Sequence, residues 1–261
     1  MDSLFFEHYK GEIVHSGQRL RFEPAGRQDI GRIAELYAQT AIHSGNYKER
    51  FEPFGSNSFE RLGGMFAIHS EDSIREELAA GNSFFASIKT DDGNIVAFLW
   101  VSDSDPDFLR LDPAFFPSLS CKRYNEMRNA LKAGKVAFPR EIIVAPEYRG
   151  EGIADILCFT VFNTADKNGY TCSLGEVYKV LSYRTGNLEM QAGMLNKGGF
   201  NTISGMGGRF IGAFPNRDIK AGDLTVTITP QVFALWYEKV LPMLSRALDK
   251  SSVGVFWEDF R

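Results

Sequence analysis

One short stretch of this chain has the residue types to hold an anion: Arg149, Gly150, Glu151 and Gly152 follow the apolar run Ile142–Val144 and precede Ile153–Ala154. A strand handing over to a helix leaves the first backbone N–H groups of the helix without partners, and they carry about half a positive charge. A glycine there lets a phosphate approach without a Cβ in the way, and arginine adds a planar, two-pronged donor. A glycine turn beside a solvated arginine would produce the same letters. The P-loop pattern GxxxxGK[ST] is absent, and Gly150-x-Gly152 is followed by Asp155 where a dinucleotide fingerprint needs a third glycine.

The elements that must position this stretch are legible around it. Leu20 and Phe22 alternate with Arg21 and Glu23 as a strand ended by Pro24, and Asp29 is placed to cap a helix carrying Ile33, Leu36, Tyr37, Thr40 and Ala41 on one face. Ser70, Ile74, Leu78 and Gly81 mark the cap, stripe and stop of a second helix. The run 83–101 reads as a hairpin turning at Asp92-Gly93. A short helix near 124–131, a strand over 141–144 and a helix from about 152 to 167 follow. "TCSLGEVYKVL" reads as a strand, 189–197 as a helix stopped by Gly198-Gly199, "FNTISGMGGRFIGAF" as a glycine-turned hairpin, "LTVTI" as a strand and "PQVFALWYEKVLPMLSRAL" as a helix broken at Pro242. This order predicts a mixed α/β layout.

Composition narrows the class. The 261 residues suffice for a large core, and 44% hydrophobic with 24% charged residues is ordinary for a globular chain. With 29 basic and 33 acidic residues the net charge is −4, which gives no reason to expect nucleic acid or a membrane as partner. Three cysteines without CxxC spacing and four histidines without ligand spacing argue against a disulfide framework and a metal site. The start of the chain lacks a signal-peptide core, and Ile153–Val161 is too short to span a bilayer. The expectation is a cytoplasmic protein.

Arg149, Gly152 and Ala154 fill the R/Q-x-x-G-x-G/A signature of the GNAT superfamily of acyl-CoA N-acyltransferases, and the chain resembles that family in order from about residue 18 to 214. The resemblance implies one domain over 1–261, with insertions at about 44–69 and 102–136 and an added C-terminal strand and helix over 215–261. It implies a mixed sheet flanked by helices and splayed between the family's fourth and fifth strands, here 141–144 and the strand of "TCSLGEVYKVL". Acetyl-CoA, or another acyl-CoA, is then the co-substrate, with no metal. Its pyrophosphate is expected on Gly150, Gly152, Ile153 and Ala154 beside Arg149, with Glu151 turned outward. Its pantetheine arm is expected along Ile143, Val144 and Ala145, with Asn187 as a further contact.

The partner implied is a small-molecule primary amine, acylated directly in a ternary complex. Glu141, on the strand face shared with Ile143, is the candidate base, and Glu176 is a second. The family's late-helix tyrosine falls at Leu195 by counting back from Gly199-Phe200, which leaves Tyr178 or Tyr183 as the acid, if one is used. Two other readings stay open: a non-catalytic acyl-CoA-binding module, and longer-chain acyl transfer to an amino acid with phenylalanines of the two insertions (Phe51, Phe54, Phe59, Phe66, Phe108, Phe115, Phe116) as its walls. The C-terminal helix is read as either a homodimer surface or core cover.

Overall fold

The computed structural model describes residues 11–15, 17–51, 59, 63–66, 69–105, 108, 119–250 and 254–257. Among the described residues, eleven strands form one mixed sheet. In chain order they are β1 (Gly11–His15), β2 (Gln18–Pro24), β3 (Ser83–Thr90), β4 (Ile95–Ser102), β5 (Val136–Val144), β6 (Cys172–Thr185), β7 (Leu188–Leu195), β8 (Arg209–Ala213), β9 (Arg217–Ala221), β10 (Leu224–Trp236) and β11 (Gly254–Trp257). Across the sheet the order is β11-β1-β2-β3-β4-β5-β6-β10-β8, with β7 paired to β6 and β9 to β10. The helices are α1 (Ile30–Thr40), α2 (Tyr47–Phe51), α3 (Glu71–Ala80), α4 (Cys121–Lys132), α5 (Ile153–Lys167), α6 (Lys197–Gly205) and α7 (Tyr237–Lys250).

Two helical layers cover the sheet. On one face α1 and α3 bury Ile33, Leu36, Tyr37 and Ile74 against Phe85, Phe98, Trp100 and Ile143. On the other, α5 and α7 bury Ile156, Leu157, Val161, Val240 and Leu244 against Ala86, Val96, Leu99 and Ala137. The opposite alternation of neighbouring strand residues makes this two-sided burial the natural outcome of near-continuous apolar strands.

The feature that shapes the site is a break in pairing. β5 and β6 run parallel and are joined at Val136↔Cys172 and Ala137↔Ser173. Pro139, two residues further along β5, has no N–H to continue the ladder. A register shift against β4 between Trp100↔Glu141 and Val101↔Pro139 leaves Arg140 as the extra, bulged residue. β6 meanwhile continues, paired with β10 along its whole length on one edge and with β7 from Lys179 to Thr185 on the other. The edge of β6 from Leu174 to Val177 therefore faces β5 across a gap.

Several elements differ from the sequence-based expectation. Residues 188–195 are strand, not helix: Gly186 (φ +57) and Asn187 form a tight hairpin turn, and pairing with β6 overrides the helical propensity of "LEMQA". The helix comes later, over Lys197–Gly205, because Asn196 Oδ1 accepts the Gly199 N–H and caps it. The glycines read as its stop lie in its first turn, so "FNTISG" is not a hairpin arm. Gln231–Trp236 belong to β10, whose fully buried apolar run has no periodicity to separate strand from helix. Pro242 sits inside α7. Residues 44–69, expected to hold no element, include α2. Asp29 makes no side-chain cap to α1; its carboxylate accepts from the Gly26 N–H at 2.7 Å and from buried Lys89 at 2.8 Å.

Candidate active site

The glycine pair sits where strand gives way to helix. β5 ends at Val144, Pro146–Tyr148 make a 3-10 turn, and α5 begins at Ile153. Gly150 (φ +82) and Gly152 (φ +83) both occupy the left-handed region that disfavours side chains. A Cβ at Gly150 would meet nothing within 4 Å, so that side of the turn is open. The first α5 hydrogen bond runs from Ile156 N–H to Gly152 O, which leaves the N–H groups of Ile153, Ala154 and Asp155 without intrahelical partners. Arg149 Nε donates to the Val144 carbonyl at 2.8 Å and ties the turn to the strand end. Burial, and then the like charge of Arg50, pull the Arg149 pKa below the usual guanidinium value, while Glu147 opposes them. Glu151 is exposed. Asp155, in the first turn of α5, has its pKa raised by burial.

The gap between β5 and β6 opens into a cleft of about 340 Å³. Its walls are the stretches of β5 and β6 that do not pair with each other, Phe138–Glu141 on β5 and Leu174–Glu176 with Tyr178 on β6, closed by His69, Trp100, Asp105, Phe108 and Arg217. The bulge at Arg140 explains why consecutive residues Arg140 and Glu141 both reach one cleft.

Glu141 is the centre of a small network. Tyr37 O–H donates to its Oε2, and His69 Nε2 lies 3.4 Å from its Oε1. The carboxylate side chain is 16% exposed, and His69 is 23% exposed. Burial, reinforced by the charge of Glu141 and its hydrogen bond, holds the Tyr37 phenol well above its ordinary pKa, so Tyr37 remains a donor. The His69 ring packs edge-on to Trp100 with centroids 4.9 Å apart and tilts against Tyr37 at 5.0 Å.

The cleft's other charges are paired. Arg217 Nη2 holds Glu176 Oε2 at 2.6 Å, and Arg140 holds Asp105. Burial first, and the Glu176 charge second, push the Tyr178 pKa up to about 12.

Of the residues singled out from sequence, the structure brings Glu141, Glu176 and Tyr178 together in the cleft. Ile143, Val144 and Ala145 lie at the end of β5 beyond the bulge, next to Arg149 and the α5 N-terminus. Tyr183 is buried against Phe51 (4.9 Å, stacked) and Tyr47, outside the cleft lining. Asn187 is exposed in the β6–β7 turn, and Leu195 ends β7, so neither occupies the late helix or its entrance; α6 contains no tyrosine. Phe51, Phe59 and Phe66 pack on one another as core, whereas Phe54, Phe115 and Phe116 lie outside the described residues. Sequence reasoning missed Tyr37 as a polar partner and missed His69, Arg140, Asp105 and Arg217 altogether. Tyr37 and Glu141 stand 104 positions apart, and no spacing rule links them.

Three comparisons bear on this arrangement. The family described as acetyltransferase (GNAT) matches over residues 48–181. No curated protein matches the chain. Among solved structures, Mycobacterium smegmatis RimJ in complex with CoA-disulfide superposes with a TM-score of 0.53 at 13% identity, covering 97% of this chain and 98% of that one. An N-acetyltransferase from Staphylococcus aureus Mu50 gives 0.48 at 13% identity, covering 84% and 98%, and the ribosomal-protein-S18-alanine N-acetyltransferase from Escherichia coli gives 0.46 at 11%, covering 84% and 94%. The superposition with RimJ supports a shared fold, and at such identities the likeness extends no further.

Proposed function

The chain belongs to the GNAT acetyltransferase family, and from that premise we propose that it moves an acyl group, acetyl in the first instance, from acyl-CoA to a primary amine of a small molecule by direct transfer in a ternary complex. The observation that carries this reading is the pairing gap between β5 and β6, which has unpartnered helix N–H groups near one end and Glu141 in a cleft beside it.

The residues present fit acyl-CoA. The N–H groups around Gly150, Gly152, Ile153 and Ala154, with Arg149 beside them, suit a pyrophosphate. The backbone of Ile143–Ala145 lies along the edge that β6 has left and suits an amide-bearing arm laid strand-like against it. When bound, acyl-CoA supplies a thioester carbonyl open to an amine. The chain's own contribution is proton management. Glu141, held by Tyr37, accepts a proton from the incoming ammonium. Glu176, engaged by Arg217, shapes the cleft rather than accepting the proton. Tyr178 keeps its proton up to about pH 12, so it acts on a departing thiolate by hydrogen bonding, not by full transfer. Cys158 and Cys172 are buried free thiols, which suits a reducing, cytoplasmic setting.

The test is CoA release across a panel of amines, followed by Glu141→Gln. We expect kcat to fall about 100-fold or more, the usual scale for losing a general base, with acetyl-CoA affinity unchanged. Equal rates for wild type and variant from pH 6 to 9 would remove Glu141 from the mechanism. The absence of a tyrosine from α6 favours a second reading, a non-catalytic acyl-CoA-binding module. Tight acetyl-CoA binding with no turnover of any amine would select it.

A further inference from the structure

We propose that His69 is the relay that carries the proton taken up by Glu141 out to solvent. The inference rests on the transferase reading above and adds a residue that the sequence did not indicate. At neutral pH the acceptor enters as R–NH3⁺ and leaves as an amide with one N–H. The nitrogen therefore loses two protons per turnover: one ends on the departing sulfur and the other must leave the site. Glu141 is the first holder of that second proton, yet its side chain is 16% exposed. A base that cannot pass its proton on works once.

Glu141 has two side-chain neighbours among the hydrogen bonds and ion pairs of the described residues, and they are not equivalent. Tyr37 is fully buried, and its phenol is itself a donor to Oε2. That direction is closed. His69 places Nε2 3.4 Å from Oε1, and its other ring nitrogen, Nδ1, lies 3.4 Å from Ser73 Oγ in the first turn of α3. The imidazole is thus strung between the buried carboxylate and a hydroxyl near the helix end, where Ser70 is exposed. Imidazole is the side chain suited to exchange a proton at neutral pH, because one nitrogen can gain a proton as the other loses one. The step balances: the O–H bond on Glu141 breaks, an N–H bond forms at Nε2, and the Nδ1 proton passes by way of Ser73 to water. Trp100 and Tyr37 pack on the ring edge-on and tilted and keep it beside Glu141, and a half-turn of the ring between turnovers brings the bare nitrogen back to Glu141 and the new N–H to the Ser73 side.

Other charged or titratable groups share the cleft with His69. Asp105 and Arg140 on one side, and Glu176 with Arg217 on the other, are held as ion pairs. Tyr178 retains its proton to about pH 12.

The experiment uses the full chain, acetyl-CoA and an amine that the wild type acetylates. His69→Gln keeps a polar group near Glu141 but cannot shuttle a proton; His69→Ala leaves space that free imidazole can enter. We expect kcat to fall about tenfold or more in both, within the scale of proton-transfer effects. KM for the amine and affinity for acetyl-CoA should stay within about twofold, as a relay makes no binding contact. Added imidazole should restore the alanine variant severalfold in a concentration-dependent way, and should leave the glutamine variant, whose side chain fills the space, unchanged. Wild-type kcat in His69→Gln, or a loss in His69→Ala that imidazole leaves untouched, overturns the relay while the transferase reading stands. A wild type that binds acetyl-CoA yet turns over no amine overturns both.

Discussion

On the proposed reading, Arg149→Lys and Arg149→Ala separate two tasks of one guanidinium. Its Nε–H fixes the glycine turn to the Val144 carbonyl at 2.8 Å, and its remaining N–H groups are the natural partners of an anion at the α5 N-terminus. Lysine keeps the charge, but a single ammonium cannot serve both places. A hydrogen bond from a charged donor contributes about 1.5–3 kcal/mol, and each 1.4 kcal/mol is tenfold in affinity. Burial of the side chain, with Arg50 nearby, offsets part of this, so the lower end of the range applies. One lost contact is then worth about tenfold and two about 100-fold. Calorimetry with CoA at two ionic strengths should give Arg149→Ala about 100-fold weaker and less salt-sensitive than wild type, with Arg149→Lys about tenfold weaker. An alanine variant within twofold of wild type would refute the arginine's role. A lysine variant equal to wild type, beside a weak alanine variant, would refute the tie to Val144 and leave only the charge.

Stability should fall on the alkaline side. The Tyr37, Tyr178, Tyr237, Cys158 and Cys172 pKa values are all raised, with burial the largest cause in each. The folded chain thus holds protons that the unfolded chain releases. Their stabilisation is complete below the ordinary thiol and phenol values of 9.0 and 10.0 and is lost as pH rises through the folded values, which reach about 12 for Cys172 and Tyr178. Urea midpoints measured upward from pH 8 should decline from about pH 9; a flat profile to pH 11 would contradict these burials. Lys89, whose side chain is 4% exposed, sits 2.7 Å from Glu23 and 2.8 Å from Asp29. Lys89→Met leaves both carboxylates facing each other and should cost about 3–5 kcal/mol by urea unfolding at pH 7, whereas a loss under 1 kcal/mol would mean water already reaches them.

Local chemistry was readable where one short segment settles its own structure. The Asp92-Gly93 hairpin, the Ser70 cap with its Gly81 stop, and the 150–152 turn into α5 each depend on residues a few positions apart. Residues 188–205 were misread because glycine has two uses, as a helix stop and inside a capped first turn. Only the Asn196 cap and the β6 partner distinguish them. In Leu224–Trp236 only the first part alternates, and Val232–Trp236, buried on both faces, carries no alternation to mark it as strand.

The sequence by itself determined the segment proposed to hold the acyl donor: a glycine-opened helix N-terminus, an arginine beside it, and the strand before it. These lie within a dozen consecutive residues, so backbone geometry alone brings them together. The cleft proposed for the acceptor was decided by tertiary structure. Pro139 and the Arg140 bulge part β5 from β6, and the resulting cleft collects β4, β5, β6 and the start of β9, together with His69 just before α3. Tyr37 and His69 meet Glu141 only because α1 and α3 are packed down by an apolar stripe. That stripe fixes a face, and a face carries no code for which polar group at its margin will find which partner.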